Sequence, residues 1–278
     1  MPETTARHVA LVTGASSGIG AATVRALMAA GFTVCATARR VERMQGLADD
    51  GARVLAMDVT EDASMVDGVR RITEEAGRID VLVNNAGYGA YGSLEDVPID
   101  DARRQFEVNV FGLARLTQLV LPGMRTRGAG TIVNVSSMGG KFYEPLGSWY
   151  HATKFAVEGL SDSLRIELRP FGVRVVLIEP GPILSEWSGI ARDSLVDASK
   201  GTAYEANARK VANVLEASYV PGRASEPEVV ARAVVRAVRS KHPAPRYPVG
   251  GNAGLILAAR KVLPDRVFDA IVGSVYGH

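Results

Sequence analysis

Short apolar runs alternate along the chain with segments of helical period. Residues 9–12 (Val-Ala-Leu-Val) are apolar throughout and lead straight into a glycine-rich turn. Residues 32–38, 54–59, 81–83, 132–135 and 173–178 repeat the pattern, each short and rich in β-branched side chains. Runs that are apolar at every position, rather than at every second one, suit strands of a sheet covered on both faces. Between them, residues 21–30, 62–75, 101–121 and 150–168 read as helices, the first stopped by Gly31 and the second opened near Asp62. Strand, helix and strand in succession predict parallel β-α-β units with right-handed crossovers. The expected fold class is α/β, a doubly wound parallel sheet in a single domain, with ligands at the carboxyl ends of the strands.

Beyond Pro180-Gly181-Pro182 the pattern loosens. Ile183, Leu184, Trp187 and Ile190 precede a polar stretch over residues 192–210. Residues 227–240 read as a helix and 246–250 as a last strand. Residues 255–262 and 266–272 form two short apolar helices around Pro264, suited to closing a pocket, packing on a second subunit or lying on a membrane surface.

Composition narrows the classes. The 278 residues, 47% hydrophobic and 22% charged, suit one large globular domain without linker or repeat. A net charge of +2 gives no electrostatic reason to expect nucleic acid. Cys35 is the only cysteine, which excludes an intrachain disulfide and fits a reducing compartment; its apolar surroundings predict a buried structural thiol. Residues 1–8 are polar without a signal-peptide pattern, and no apolar run approaches the roughly 20 residues of a membrane span. A cytoplasmic location is therefore expected. His8, His151, His242 and His278 are scattered, so no metal site is expected; His151 reads as structural or as part of a pocket rim.

Three constellations carry chemistry. The first turn, Thr13-Gly14-Ala15-Ser16-Ser17-Gly18-Ile19-Gly20, follows a strand and opens a helix. Small residues there let the backbone approach a pyrophosphate, and the helix N-terminal amides attract its charge. A plain turn is the alternative. At the end of the second strand, where an NAD site offers a carboxylate to the ribose, the chain has Ala38-Arg39-Arg40. Two guanidiniums there favour the 2′-phosphate of NADP over NAD, although both side chains would also sit comfortably in solvent at a helix start. Finally, Tyr150 and Lys154 lie four residues apart on one predicted helix face, with Ser137 thirteen residues upstream. A cation beside a phenol favours the phenolate and lowers its pKa, so the trio suits passing one proton to or from a substrate oxygen.

Taken together, Thr13-Gly14-x3-Gly18-Ile19-Gly20, Asp58, Asn84-Asn85-Ala86-Gly87, Asn109, Ser137, Tyr150-x3-Lys154 and Pro180-Gly181 resemble the motif set of the short-chain dehydrogenase/reductase family, over residues 9–181. The resemblance implies a Rossmann-like fold and roles for these positions. Asp58 approaches the adenine edge with the Val59 backbone beside it. Asn85, Ala86 and Gly87 line the cofactor and stiffen the sheet. Asn109 holds a water linking Lys154 to solvent, or is a structural amide that kinks its helix. Ser137, rather than Ser136, hydrogen-bonds the substrate oxygen; Tyr150 is the acid or base; Lys154 lowers its pKa and binds the nicotinamide ribose. Pro180 and Gly181 flank the nicotinamide ring. Residues 182–225 become a mobile substrate lid, and Met138, Phe142, Tyr143, Leu146 and Trp149 a facing apolar wall, or else ordinary core. The implied activity is interconversion of an alcohol with an aldehyde or ketone, on a hydrophobic substrate of steroid, retinoid or lipid type, by a homodimer or homotetramer. A cofactor-binding regulator or scaffold without turnover, and epimerisation or dehydration with retained cofactor, are the competing classes.

Overall fold

Each of these apolar runs becomes a strand of one sheet. In the computed structural model, which describes residues 7–277, the strands are β1 (Val9–Thr13), β2 (Thr33–Ala38), β3 (Arg53–Ala56), β4 (Val81–Asn84), β5 (Gly130–Val135), β6 (Val173–Pro180) and β7 (Arg246–Val249). Residues 1–6, most of the polar N-terminal segment noted above, and His278 lie outside the described residues. All neighbouring strands run parallel, in the order β3-β2-β1-β4-β5-β6-β7. The chain therefore works outward from β1 to one edge, then returns to place β4 on the other side of β1. The carboxyl ends of β1 and β4 diverge at that reversal, and a crevice opens there.

Helices cover both faces. The first six are α1 (Gly18–Ala29), α2 (Gln45–Asp49), α3 (Asp62–Ala76), α4 (Ile99–Phe106), α5 (Leu113–Arg127) and α6 (Ser148–Leu168). The rest are α7 (Trp187–Ser199), α8 (Glu205–Ser218), α9 (Pro227–Arg239), α10 (Ala253–Val262) and α11 (Asp265–Tyr276). On one face Val24 and Leu27 of α1 and Val230 and Val234 of α9 pack on Val12, Ala36 and Val133. On the other, Ile72 of α3 and Leu116, Val120 and Met124 of α5 pack on Leu11, Leu82 and Ile132. Continuous apolar strands are thus buried from both sides, the reason they lack polar alternation. Cys35 is buried among them, and burial pushes its thiol up to about 11.

Three elements depart from expectation. Strand β3 stops at Ala56 instead of reaching Val59, because the Asp58 carboxylate accepts hydrogen bonds from Thr60 N and Thr60 Oγ1, 2.9 and 2.8 Å, and turns the chain. The helix expected over 101–121 is α4 and α5 joined by a π-helical turn, Glu107–Gly112, and it runs on past Pro122 to Gly128, whose φ of +64° closes it. Residues 192–210, read from the sequence only as a polar stretch, belong mostly to α7 and α8. Ala191, Leu195 and Ser199 bury one face of α7, and Ala208, Val211, Ala212 and Leu215 one face of α8. The apolar period is present but is carried by alanines, which weaken its contrast with the polar face.

Candidate active site

The crevice at the carboxyl ends is a cleft of about 910 Å³. Gly14, Ser16, Ser17, Gly18, Ile19 and Gly20 form one wall. Gly14 has φ +65°, and a Cβ there would come within 2.8 Å of Ala86 Cα. At Gly20 a Cβ would run into the Gly14 carbonyl and stand 2.7 Å from Asn85 Nδ2. Ser17, in extended conformation, starts α1, so the amides of its first turn open into the cleft. Asn85 locks this loop to β4: its Nδ2 donates to Thr13 O and Gly14 O, 2.9 and 3.2 Å, while Thr13 Oγ1 accepts from Asn85 N and Ala86 N, 3.1 and 3.0 Å. Stiffening of the sheet falls instead to Asn84, whose Nδ2 donates to Asn134 Oδ1 and Thr117 Oγ1, 2.9 and 3.1 Å. Ala86 and Gly87 continue the floor.

At the far end of the cleft stand Arg39, Arg40, Asp58 and Val59. The two arginines differ. Arg40 leans toward Glu186 at the start of α7, 3.9 Å away, and Arg43 binds the same carboxylate at 3.0 Å. Arg39 forms no ion pair among the described residues. The end of β2 itself carries no carboxylate, although Asp58, Glu61 and Glu186 line the same corner.

Pro180 and Gly181 form the other end, beside Ser137, Tyr150 and Lys154. Gly181 N donates to Val249 O at 2.9 Å, and a Cβ on Gly181 would reach Gly250 O at 2.6 Å, so the end of β6 is pinned to β7. Ser137 is extended and caps a short turn, its Oγ accepting from Gly139 N at 3.0 Å, which leaves its proton for another acceptor. Ser136 Oγ is buried without a partner and does not share that position. Tyr150 and Lys154 both face the cleft from α6. Lys154 Nζ donates to Val135 O at 3.0 Å and lies 6.0 Å from the centre of the Tyr150 ring.

Electrostatics here differ from expectation. Burial lowers the Lys154 ammonium to about 8, with Glu158 one turn along opposing the shift. The Tyr150 phenol is not drawn down by Lys154. Burial raises it well above the usual value, the Ser137 hydroxyl pulls it back in part, and Glu144 adds to the rise. Both groups are out of water, so each resists charge, and the ammonium is bonded to Val135 rather than to the phenol. Asn109 sits in the π-helical turn and forms no hydrogen bond with Lys154. Its Nδ2 donates to Tyr88 O and Thr153 Oγ1, 2.9 and 3.1 Å, and its Oδ1 accepts from Tyr88 N at 3.1 Å. That geometry fits the structural amide. Behind the site, the buried Glu158 and Glu179 form an ionic cluster with the partly exposed Lys141 and Arg246, in which burial and the nearby Glu158 lift Glu179 to about 7.

The wall opposite the glycines is aromatic. The Trp187 ring centroid lies 5.1 Å from Tyr150, 6.0 Å from Tyr91 and 5.6 Å from Tyr219. Of the five wall residues expected, Leu146 joins this cluster. Phe142 packs on His151 and Phe268, Tyr143 bonds Asp269 of α11 at 2.6 Å, and Trp149 turns away to Phe106. Their spacing between Ser137 and Tyr150 carries no information about which way each ring points. Tyr91, Tyr219, Tyr276 and Glu144 are found only in the folded protein, because they come from four separate segments. His151 is structural: its Nδ1 meets Gly139 O at 2.8 Å and its Nε2 accepts from Glu144 N at 3.0 Å.

Among the described residues no group of His, Cys, Asp and Glu is placed to hold a metal ion, and no helix is long and apolar enough to cross a membrane. The cradle of Gly14 and Gly20, the amides of α1, the unpaired Arg39 and the hydroxyl pair at the other end fit an extended dinucleotide with its reactive ring beside Tyr150. Fold and site thus define a nicotinamide-dependent oxidoreductase of the Rossmann class.

Residues 8–194 match the family model for short chain dehydrogenase, and the chain belongs to that family. It is 34% identical to a 3-ketodihydrosphingosine reductase of Bacteroides thetaiotaomicron, over 97% of this chain and 98% of the relative. It is 35% identical to an NADPH-dependent 3-dehydrocapnine reductase of Ornithobacterium rhinotracheale, over 94% and 95%. A short-chain dehydrogenase structure from Streptomyces avermitilis superposes with a TM-score of 0.80 at 36% identity, covering 96% of both chains. A family member from Burkholderia phymatum in complex with NAD gives 0.79 at 25% identity, covering 96% and 95%. The family binds nicotinamide cofactors of both kinds and acts on small molecules.

Proposed function

We propose that this oxidoreductase interconverts an apolar, long-chain ketone and its secondary alcohol with NADP(H), chiefly as a reductase. The observation that carries the reading is the meeting of the Ser137 and Tyr150 hydroxyls with the aromatic wall of Trp187 and Tyr219 at one end of the dinucleotide cleft. Bound nicotinamide supplies or accepts the hydride. The chain's own residues orient the substrate and handle the proton. Ser137, with its lone pair already engaged by Gly139 N, donates to the substrate oxygen as charge develops there. Tyr150 then delivers its proton to that oxygen. Burial keeps the phenol protonated, which suits donation to an alkoxide, a much stronger base than a phenolate. Lys154 holds the ribose hydroxyls and recovers its full charge beside a phosphate-bearing ligand.

Arg39 supports NADP over NAD, as does the NADPH named for the capnine relative. Gly14, Ser16, Ser17, Gly18, Ile19 and Gly20 cradle the pyrophosphate; Arg40, Asp58 and Val59 flank the adenosine; Asn85, Ala86, Gly87, Pro180 and Gly181 line the path to the nicotinamide. Residues 182–225, with α7 and α8, act as the substrate lid, and the exposed Phe111, Phe155 and Ile166 support self-association through the central helices. The names of the two lipid-related reductases favour a long-chain substrate over a steroid or retinoid. The test follows cofactor absorbance with NADPH, and separately NADH, against long-chain 3-ketones, steroid ketones and retinal. Turnover of the long-chain ketones with NADPH supports the reading; exclusive use of steroids, or of NADH, overturns it.

A further inference from the structure

Where the lid leaves the sheet, consecutive residues touch different parts of the cleft. The two ends of the lid are pinned together: Ile183 bridges Ser225, Leu184 N donates to Ser225 O at 2.9 Å, and Ser225 N donates to Pro182 O at 3.0 Å. Just beyond that neck, Ser185 closes on the phosphate loop, its Cβ 3.1 Å from where a Cβ on Gly18 would stand. Glu186 turns to the arginine corner. Trp187 packs on Tyr150 and Tyr219, and a Cβ on Gly89 would stand 2.5 Å from its Cζ2. Ser185, Glu186 and Trp187 all line the cleft.

Glu186 occupies the N-cap position of α7, where a carboxylate ordinarily binds the free amides of the first turn. Its side chain makes no capping bond. Both oxygens instead accept from Arg43 Nη1, at 3.1 and 3.0 Å, and Oε2 stands 3.9 Å from Arg40 Nη2. Arg43 belongs to a short 3₁₀ turn, Val41–Met44, that follows β2, 143 residues earlier in the chain. About half of each side chain is exposed, so the pair adds little to stability. Its place matters more than its strength. The carboxylate beside Arg40 belongs to the residue directly before the indole that packs on the reacting phenol.

The effect on the cofactor has a definite sign. A 2′-phosphate brings about two negative charges to the corner of Arg39 and Arg40. A carboxylate already there repels that group and competes for Arg40, while Arg43 offsets the carboxylate. NADH lacks the phosphate and is indifferent to both.

We propose that Glu186 is a specificity-determining and positioning residue that links the 2′-phosphate corner to the substrate wall. Clasped by Arg43, it holds Trp187 against Tyr150. By restraining Arg40, it weakens the grip on the 2′-phosphate and leaves that group chiefly to Arg39. This rests on the reading of the cleft as an NADP(H) site with residues 182–225 as its lid.

The test reads both ends of the link and needs no substrate. Calorimetry gives the affinities for NADPH and NADH in wild type, Glu186→Gln and Arg43→Gln. Acrylamide quenching of Trp187 is followed in a Trp149→Phe background, since Trp149 and Trp187 are the only tryptophans. Glu186→Gln is expected to bind NADPH about three- to fivefold more tightly, and Arg43→Gln more weakly by about as much, the worth of a half-exposed charge pair. Affinity for NADH stays put in both, and both open Trp187 to the quencher. Opposite shifts at one end with a common shift at the other are a pattern that general damage to the fold does not produce. Glu61→Gln removes a carboxylate from the same corner without touching α7, and leaves Trp187 as shielded as before. NADPH shifts of the same sign in the two clasp variants overturn the inference. So does an unchanged Trp187 in Glu186→Gln. A wild-type protein that binds NADH more tightly than NADPH overturns the NADP reading instead, and opposite NADPH shifts in the two variants would still uphold Glu186.

Discussion

The two halves of the cleft are built by different means. On the nucleotide side the walls are backbone: Gly14 and Gly20 are packed so closely that a Cβ would strike Ala86 or Gly14 itself, and Asn85 and Thr13 bind the loop to β4 by four hydrogen bonds. On the substrate side the walls are side chains, Tyr150, Trp187 and Tyr219, with Tyr91 packed behind them, delivered by segments spread over nearly half the chain. A backbone wall cannot change without collision. A side-chain wall changes with a single substitution and leaves the sheet untouched. The difference teaches that cofactor type and substrate type are set by separable parts of one cleft.

Four experiments press on that separation. The largest effect is expected for Tyr150→Phe, which removes the proton while keeping the ring against Trp187: turnover falls by about 100- to 10,000-fold, while NADP binding by calorimetry stays intact. Comparable loss of cofactor affinity would erase the distinction between the halves. Gly20→Ala should do the reverse, forcing Gly14 and Asn85 apart and weakening NADP binding by about 10- to 100-fold, the cost of overpacking a tight contact. A smaller and more selective change is expected for Arg39→Ala: on the proposed pairing of that guanidinium with the 2′-phosphate, KM for NADPH rises by about 10-fold while KM for NADH is unmoved. An equal rise for both cofactors would remove Arg39 from the selectivity argument.

The smallest effect lies beneath the site. Glu179 is lifted to about 7 by burial and by Glu158. Its folded pKa lies above its unfolded value, so between about 4.5 and 7 the folded protein holds a proton that the unfolded chain has lost. This group therefore lowers stability progressively as pH rises through that window, and its full cost is present above pH 7. Thermal unfolding of Glu179→Gln should show a gain of about 1–2 kcal/mol over wild type at pH 8, shrinking toward zero near pH 4.5. A gain of the same size at both pH values would place the effect in packing instead.

Sequence reading reached the two halves unequally, for the same physical reason. Thr13 to Gly20, Asn85 and the Tyr150–Lys154 pair are local patterns whose meaning depends on neighbours a few residues away. The sheet was legible too, since strands buried on both faces announce themselves by unbroken apolar runs. Position between Ser137 and Tyr150 leaves Trp149 and Tyr143 open to pocket wall or ordinary core, and in the fold they rotate to Phe106 and Asp269. Helices α7 and α8 are hard to read because alanines carry much of their buried face and contrast weakly with the polar one. Tyr91 and Glu144 meet across 53 residues of chain, a pairing that no local pattern encodes. The direction of the Tyr150 shift was illegible as well, because it depends on how completely water is excluded.

The link between Thr13 and Asn85 also bears on the order in which the protein assembles. The loop that cradles the dinucleotide is held by a partner about seventy residues further along, and β4 must slide in beside β1 before those bonds can close. During synthesis, β1, α1, β2 and β3 leave the ribosome with this loop still unbraced. Binding competence therefore arrives late, with the docking of β4, and a nascent chain shorter than about 85 residues carries the glycine motif complete in sequence but without its grip.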